Sequence, residues 1–207
     1  MSNARRRTVS RIATLFLLAG LAAVPLSGPA AAKVTISQKT KYYTIHGSTP
    51  KAFFQSLERA APFFDDGRAL GVSRLKFNSK VKGVQTATTC RIENPDVRLE
   101  VLMTLPRWAD EKRADPKLQL FWKIFSAFVR KHEEHHVEIA MKHARMLQQV
   151  YSRIPAAPDC KRLKLRLDSA ARRILTQHHV QQTKFDAREQ ARMRRNARTF
   201  ASRHRNN

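Results

Sequence analysis

The sequence predicts an α+β domain: a small antiparallel sheet packed on one long helix, with a second helix folded back beside it. Three observations carry this. Val97, Leu99, Val101 and Met103 alternate with Arg98, Glu100, Leu102 and Thr104, the period-two pattern of a half-buried strand. No Gly or Pro falls between Pro116 and Pro155, so one helix can run through that whole interval. The connector that follows, "PAAPD" at 155–159, is short and makes the next helix an antiparallel neighbour.

The elements follow in order. Residues 33–45, "KVTISQKTKYYTI", are rich in β-branched and aromatic residues and read as a strand. Gly47, Ser48 and Thr49 supply a turn and a cap, and Pro50 suits a first helical turn. Phe53, Phe54, Leu57, Ala60, Ala61 and Phe64 recur at helical spacing, and Asp65-Asp66-Gly67 ends that helix. Segments 73–81 and 83–92 read as two short strands, and "LPRWADEKRADP" as a polar loop. Asp115 and Pro116 make an N-cap and first helical residue. The apolar stripe of the helix they open contains Phe121, Phe125, Phe128, Val129, Ile139, Met146, Leu147 and Val150. His132, His136 and His143 continue it, all within about 40° of one direction at 100° per residue. Asp159 can cap the second helix, whose apolar face holds Leu163, Leu167, Ala170, Ala171, Ile174 and Leu175. Residues 188–207 contain seven arginines and one acid, a basic tail expected to be frayed or disordered. The domain proper is therefore expected over 33–187.

Residues 1–32 read as a secretory leader. Arg5, Arg6, Arg7 and Arg11 precede the apolar run "IATLFLLAGLAAVPL", and Ala30-Ala31-Ala32 offers a cleavage site. The run is too short, and Pro25 too disruptive, for a spanning helix. The mature chain is thus expected to lack a transmembrane segment and to be periplasmic or secreted. Removing the leader takes away those four arginines and no acid, so the formal charge falls from +24 to +20. Such a charge speaks of partners, not fold. Export disfavours a specific nucleic-acid partner and favours an anionic lipid or envelope polymer. Cys90 and Cys160 are the only cysteines. In an oxidising compartment an even pair reads as one disulfide; two unrelated buried thiols are the other reading. Two cysteines exclude a Cys₄ zinc site.

The chemistry concentrates in "KHEEHHVEIA" at 131–140. His132, Glu133 and His136 satisfy H-E-x-x-H. Residues four apart share a helix face, so both imidazoles can approach one zinc ion, and Glu133 reaches the attacking water as general base. With eight histidines among 207 residues, and as many glutamates, roughly 0.01 such matches arise in a shuffled chain. A catalytic zinc needs a third protein ligand. His143 lies about 10.5 Å further along the helix axis, too far for the same ion. No glycine follows His136, so the longer pattern with a third histidine after a turn is missing. Candidates from the second helix are His178, Asp186 and Glu189.

Several features together resemble the bacterial predicted secreted zinc-dependent proteases, a domain-of-unknown-function family (number 922). They are "YYTIHGST", Cys90 ahead of the alternating strand, "TLPRW", Trp122 before "KHEEHHVEIA", Cys160 opening the next helix, and "KFDAREQ". The resemblance spans about residues 42–190. It implies a zincin-like domain, a Cys90–Cys160 disulfide, zinc on His132 and His136, and Glu133 as base. The family's C-terminal motif is similar to Tyr-Asp-x-x-Thr-x-His. Here Phe185-Asp186 keeps the aspartate, while Glu189 and Ala191 replace the threonine and histidine. The expected function is an exported zinc-dependent peptidase acting on a peptide or protein. The alternative is a catalytically degenerate envelope protein holding an anionic lipid or polymer on its basic surface.

Overall fold

A computed structural model describes residues 34–64 and 67–205, with side chains through Asn196; the leader lies outside the described residues. Strand β1 (Thr35–Ile45) leads into helix α1 (Pro50–Ala60). Two-residue strands β2 (Phe63–Phe64) and β3 (Gly67–Arg68) follow, then long strands β4 (Val72–Gln85) and β5 (Cys90–Trp108). A 3₁₀ turn at Glu111–Arg113 precedes α2 (Pro116–Arg153) and α3 (Cys160–Arg205). The architecture is α+β, as the sequence predicts.

Three strands form the main sheet in the order β1-β5-β4. It is mixed, not antiparallel: β1 runs parallel to β5, with Thr35 opposite Arg98 and Ile45 opposite Trp108. The return path from β1 is long enough for such a crossover, because α1 and the β4 hairpin intervene. Strand β4 is antiparallel to β5, from Val72 opposite Thr104 to Gln85 opposite Cys90. The alternating residues behave as expected: Val97, Leu99, Val101 and Met103 are buried. They pack against Val129, Val137, Ala140, Ala144 and Leu147 of α2. A second cluster joins Phe53 and Leu57 of α1 to Trp108, Leu118 and Trp122.

The caps follow their sequence signals. Thr49 accepts from the Ala52 amide at 3.4 Å, and Asp115 accepts from Lys117 and Leu118 amides at 2.9 and 3.0 Å. Asp159 accepts from Arg162 at 2.7 Å. These side chains satisfy amides that a helix start leaves without an internal partner.

Four boundaries differ from expectation. Helix α1 stops at Ala60, and Phe64 belongs to β2, because Pro62 forces Ala61 into extended backbone (ψ 132°). The two short strands expected over 73–81 and 83–92 are divided differently: β4 runs unbroken over Val72–Gln85, a turn at 86–89 is closed by the Thr86 amide on the Thr89 carbonyl (2.7 Å), and residues 90–92 begin β5. Gly83 marks a close approach: a Cβ there would sit 3.1 Å from Cys90 Sγ. Residues 105–108 extend β5 instead of opening a loop. Pro106 fits because pairing with β4 ends at Thr104. Finally, α3 does not stop at 187 but continues as helix over the basic segment to Arg205.

Cys90 and Cys160 form a disulfide, with Cα atoms 5.0 Å apart. The Cys90 and Ala157 backbones also exchange hydrogen bonds at 2.7 and 2.9 Å. The start of α3 is thereby fastened to the start of β5. Among the described residues, no helix is long and apolar enough to cross a membrane.

Candidate metal centre

Helix α2 turns the histidine face toward α3. His132 and His136 sit one turn apart with their Nε2 atoms 3.1 Å from each other. Asp186 of α3 reaches between them: its Oδ1 lies 3.0 Å from His136 Nε2 and 3.4 Å from His132 Nε2. These three residues, each half-buried, form a group whose ligand atoms all lie within 4.8 Å of one another. Phe185 is buried and closes one wall, with its ring 4.9 Å from that of His132 and 5.0 Å from that of His136.

Of the candidates on α3, only Asp186 is brought to the imidazoles. His178 lies two turns earlier, its ring against Phe77 (4.9 Å) and His143 (5.4 Å). Glu189 pairs with Arg192 at 2.5 Å. His143 is fully buried and turns its Nδ1 to the Ile139 carbonyl (2.7 Å). His135 pairs with Glu138 on another side of α2 (3.2 Å).

Glu133, one residue beyond His132, is almost fully buried. Burial pushes its carboxyl above the usual range, opposed by the Ser73 hydroxyl and by His136. The Ser73 hydroxyl also donates to the Glu133 backbone carbonyl (3.2 Å). Gly71 presses on the side chain: a Cβ there would meet Glu133 Cγ, Glu133 Oε1 and Val129 Cγ1, each at 2.8 Å. Tyr43 holds this stretch by donating to the Leu70 carbonyl at 2.8 Å. The general-base candidate is therefore set by the start of β4 as much as by its own helix.

Burial and the neighbouring His136 lower the pKa of His132, against the pull of Asp186 and Glu189. A neutral imidazole is the form that binds a metal. His132 also lines a groove of about 440 Å³ with Phe128, Lys131, Glu134, Phe185 and Arg192. A groove of about 710 Å³ beside His135, Glu138 and Lys142 touches none of the three grouped residues.

The strand over 97–104 offers no free edge to an extended substrate: it belongs to β5, which is central, with β1 on one side and β4 on the other. Gly71, Ser73 and Gln182 also adjoin the site, although no motif marks them. Gln182 Oε1 lies 2.6 Å from His136 Nδ1, and its Nε2 lies 3.0 Å from the His136 carbonyl oxygen and 2.8 Å from His178 Nε2. A signal existed: His178, Gln182 and Asp186 continue the Leu163, Leu167, Ala171, Ile174 stripe at helical spacing, as the histidines do on α2.

Two imidazole nitrogens and a carboxylate oxygen converging on one point are a group that could hold a metal ion. No curated protein and no solved structure matches the chain. The family model described as "Bacterial protein of unknown function (DUF922)" matches residues 40–193. With most of its length matched and the H-E-x-x-H helix inside the match, the chain belongs to that bacterial family.

Proposed function

We propose that the chain is an exported zinc-dependent metallopeptidase that hydrolyses peptide or protein substrates. The observation that carries this is the convergence of His132, His136 and Asp186 beside buried Glu133. The donors fit the ion: two nitrogens and one oxygen suit borderline Zn²⁺, and three protein ligands leave a position open. His132, His136 and Asp186 would hold it. When bound, zinc supplies Lewis acidity toward the water and the peptide carbonyl. Glu133 would take a proton from the attacking water and pass it to the leaving amine, roles that its upward-shifted pKa suits. The disulfide supports an oxidising, periplasmic or secreted location, as does the leader. In the expected experiment, the purified protein binds about one zinc per chain. Glu133→Gln keeps the ion and loses proteolysis, and Asp186→Ala loses the ion. A Glu133→Gln variant as active as wild type ends this assignment.

A second reading rests on a different observation. The open face of the main sheet forms a groove of about 770 Å³ lined by Lys39, Lys41, Arg74, Lys76 and Arg98 against one acid, Glu100. That face suits an anionic lipid or envelope polymer. Binding to anionic vesicles that weakens steeply with salt, and that ignores chelator, would mark this role.

A further inference from the structure

An amide side chain presents one acceptor and two N–H donors, so its three contacts are decided by what each partner can be. The His136 backbone carbonyl can only accept. Gln182 approaches it at 3.0 Å, so the atom there must be the amide nitrogen. The second N–H of that nitrogen is aimed at His178 Nε2, 2.8 Å away, which accepts it with a lone pair. The remaining amide atom, Oε1, then faces His136 Nδ1 at 2.6 Å. An oxygen at that distance requires a proton on Nδ1. Turning the amide over would set oxygen against oxygen at the His136 carbonyl, so the backbone dictates the orientation.

We infer that Gln182 is a positioning residue that locks His136 in the tautomer protonated on Nδ1, and so presents a bare Nε2 toward Asp186 and His132. The inference rests on the metal-site reading for its purpose, but not for its geometry. With its proton on Nδ1, His136 turns Nε2 toward Asp186 Oδ1 at 3.0 Å and His132 Nε2 at 3.1 Å. A lone pair on that nitrogen, beside the carboxylate oxygen and the second imidazole, leaves a place for a cation. Metal-bound histidines depend on such a partner at the other ring nitrogen, which fixes tautomer and ring direction. Here α3 supplies both parts, Asp186 facing the Nε2 atoms and Gln182 one turn earlier behind His136. His178 serves as the rear anchor. Burial brings its pKa down to about 4, which keeps its acceptor nitrogen free at neutral pH.

The test uses the full chain with ¹⁵N-labelled histidine and zinc as the only metal. In the metal-free protein, nitrogen NMR is expected to show His136 protonated on Nδ1. In Gln182→Leu the proton moves to Nε2 or divides between the two nitrogens, and zinc affinity falls roughly 10- to 100-fold in competition with a chromophoric chelator. Gln182→Glu keeps an acceptor for Nδ1 but sets an oxygen against the His136 carbonyl oxygen, so the tautomer is expected to hold while stability falls, and zinc affinity drops less than in Gln182→Leu. This partial rescue separates positioning from simple loss of folding, which circular dichroism also reports. A wild-type His136 protonated on Nε2, or a Gln182→Leu variant with unchanged tautomer and affinity, overturns the inference. Wild-type protein with the expected tautomer but no zinc binding supports the lock and overturns only the metal reading.

Discussion

Gly71→Ala is expected to separate the proposed general base, Glu133, from the proposed metal ligands. The backbone at Gly71 lies outside the left-handed region, where among the described glycines only Gly47 falls, so the substitution acts through space alone. The new methyl carbon would stand 2.8 Å from Glu133 Cγ and Oε1 and from Val129 Cγ1. Restoring even a tight contact of about 3.4 Å moves the carboxyl by roughly 0.6 Å. A misplacement of about 1 Å at a reacting group can cost about 100-fold, so kcat/KM on a peptide substrate is expected to fall about 10- to 100-fold. Overpacking the Val129 side costs about 1–3 kcal/mol of stability, read by urea denaturation. The three nearest atoms belong to Glu133 and Val129 and not to His132, His136 or Asp186, so zinc affinity should stay within about threefold. Gly67→Ala, where a Cβ meets nothing within 4 Å, is the control and should leave both quantities unchanged. Full activity in Gly71→Ala, or loss of zinc alongside activity, would refute the view that β4 positions Glu133 independently of the ion.

Two further outcomes are expected. Burial carries His178 from 6.5 to about 4. The unfolded chain therefore takes up this proton before the folded one, and stability falls as pH drops from 6.5 through about 4; thermal melts with chelator present should show that slope flattened in His178→Gln. Replacing both cysteines by serine opens a crosslink spanning a sequence separation of 70, which is expected to cost about 4 kcal/mol by chain entropy and to lower the urea midpoint without abolishing α2.

Much of the fold was legible because local chemistry and tertiary need agreed. The 97–103 alternation, the Asp115-Pro116 start and the Asp159 cap each encode their own structure, and each appears where expected. What was not legible depended on contacts distant in sequence. The direction of β1 depends on pairing with a strand some sixty residues on, and no pattern within 33–45 encodes it. That 73–81 and 83–85 form one strand was not legible, because nothing in those residues reveals the disulfide sulfur beside Gly83. In the site, H-E-x-x-H named its own pair, since both histidines share one helix. Asp186 could be placed only as one of three candidates, because which turn of α3 meets His136 depends on how the two helices pack. Gln182 and Gly71 carry no chemistry of their own and are defined by what they touch.

The site is divided between a helix seated on the sheet and one fastened near its root. Asp186 stands 26 residues beyond Cys160, the disulfide anchor of α3, or about 39 Å at 1.5 Å per residue. At that radius a tilt of only about 5° swings the carboxylate by roughly 3 Å, enough to carry it out of reach of both imidazoles. The lever also works in reverse: a cation gripped at its far end would rivet two helices that otherwise meet mainly through side chains, and would pin the last third of the chain in place.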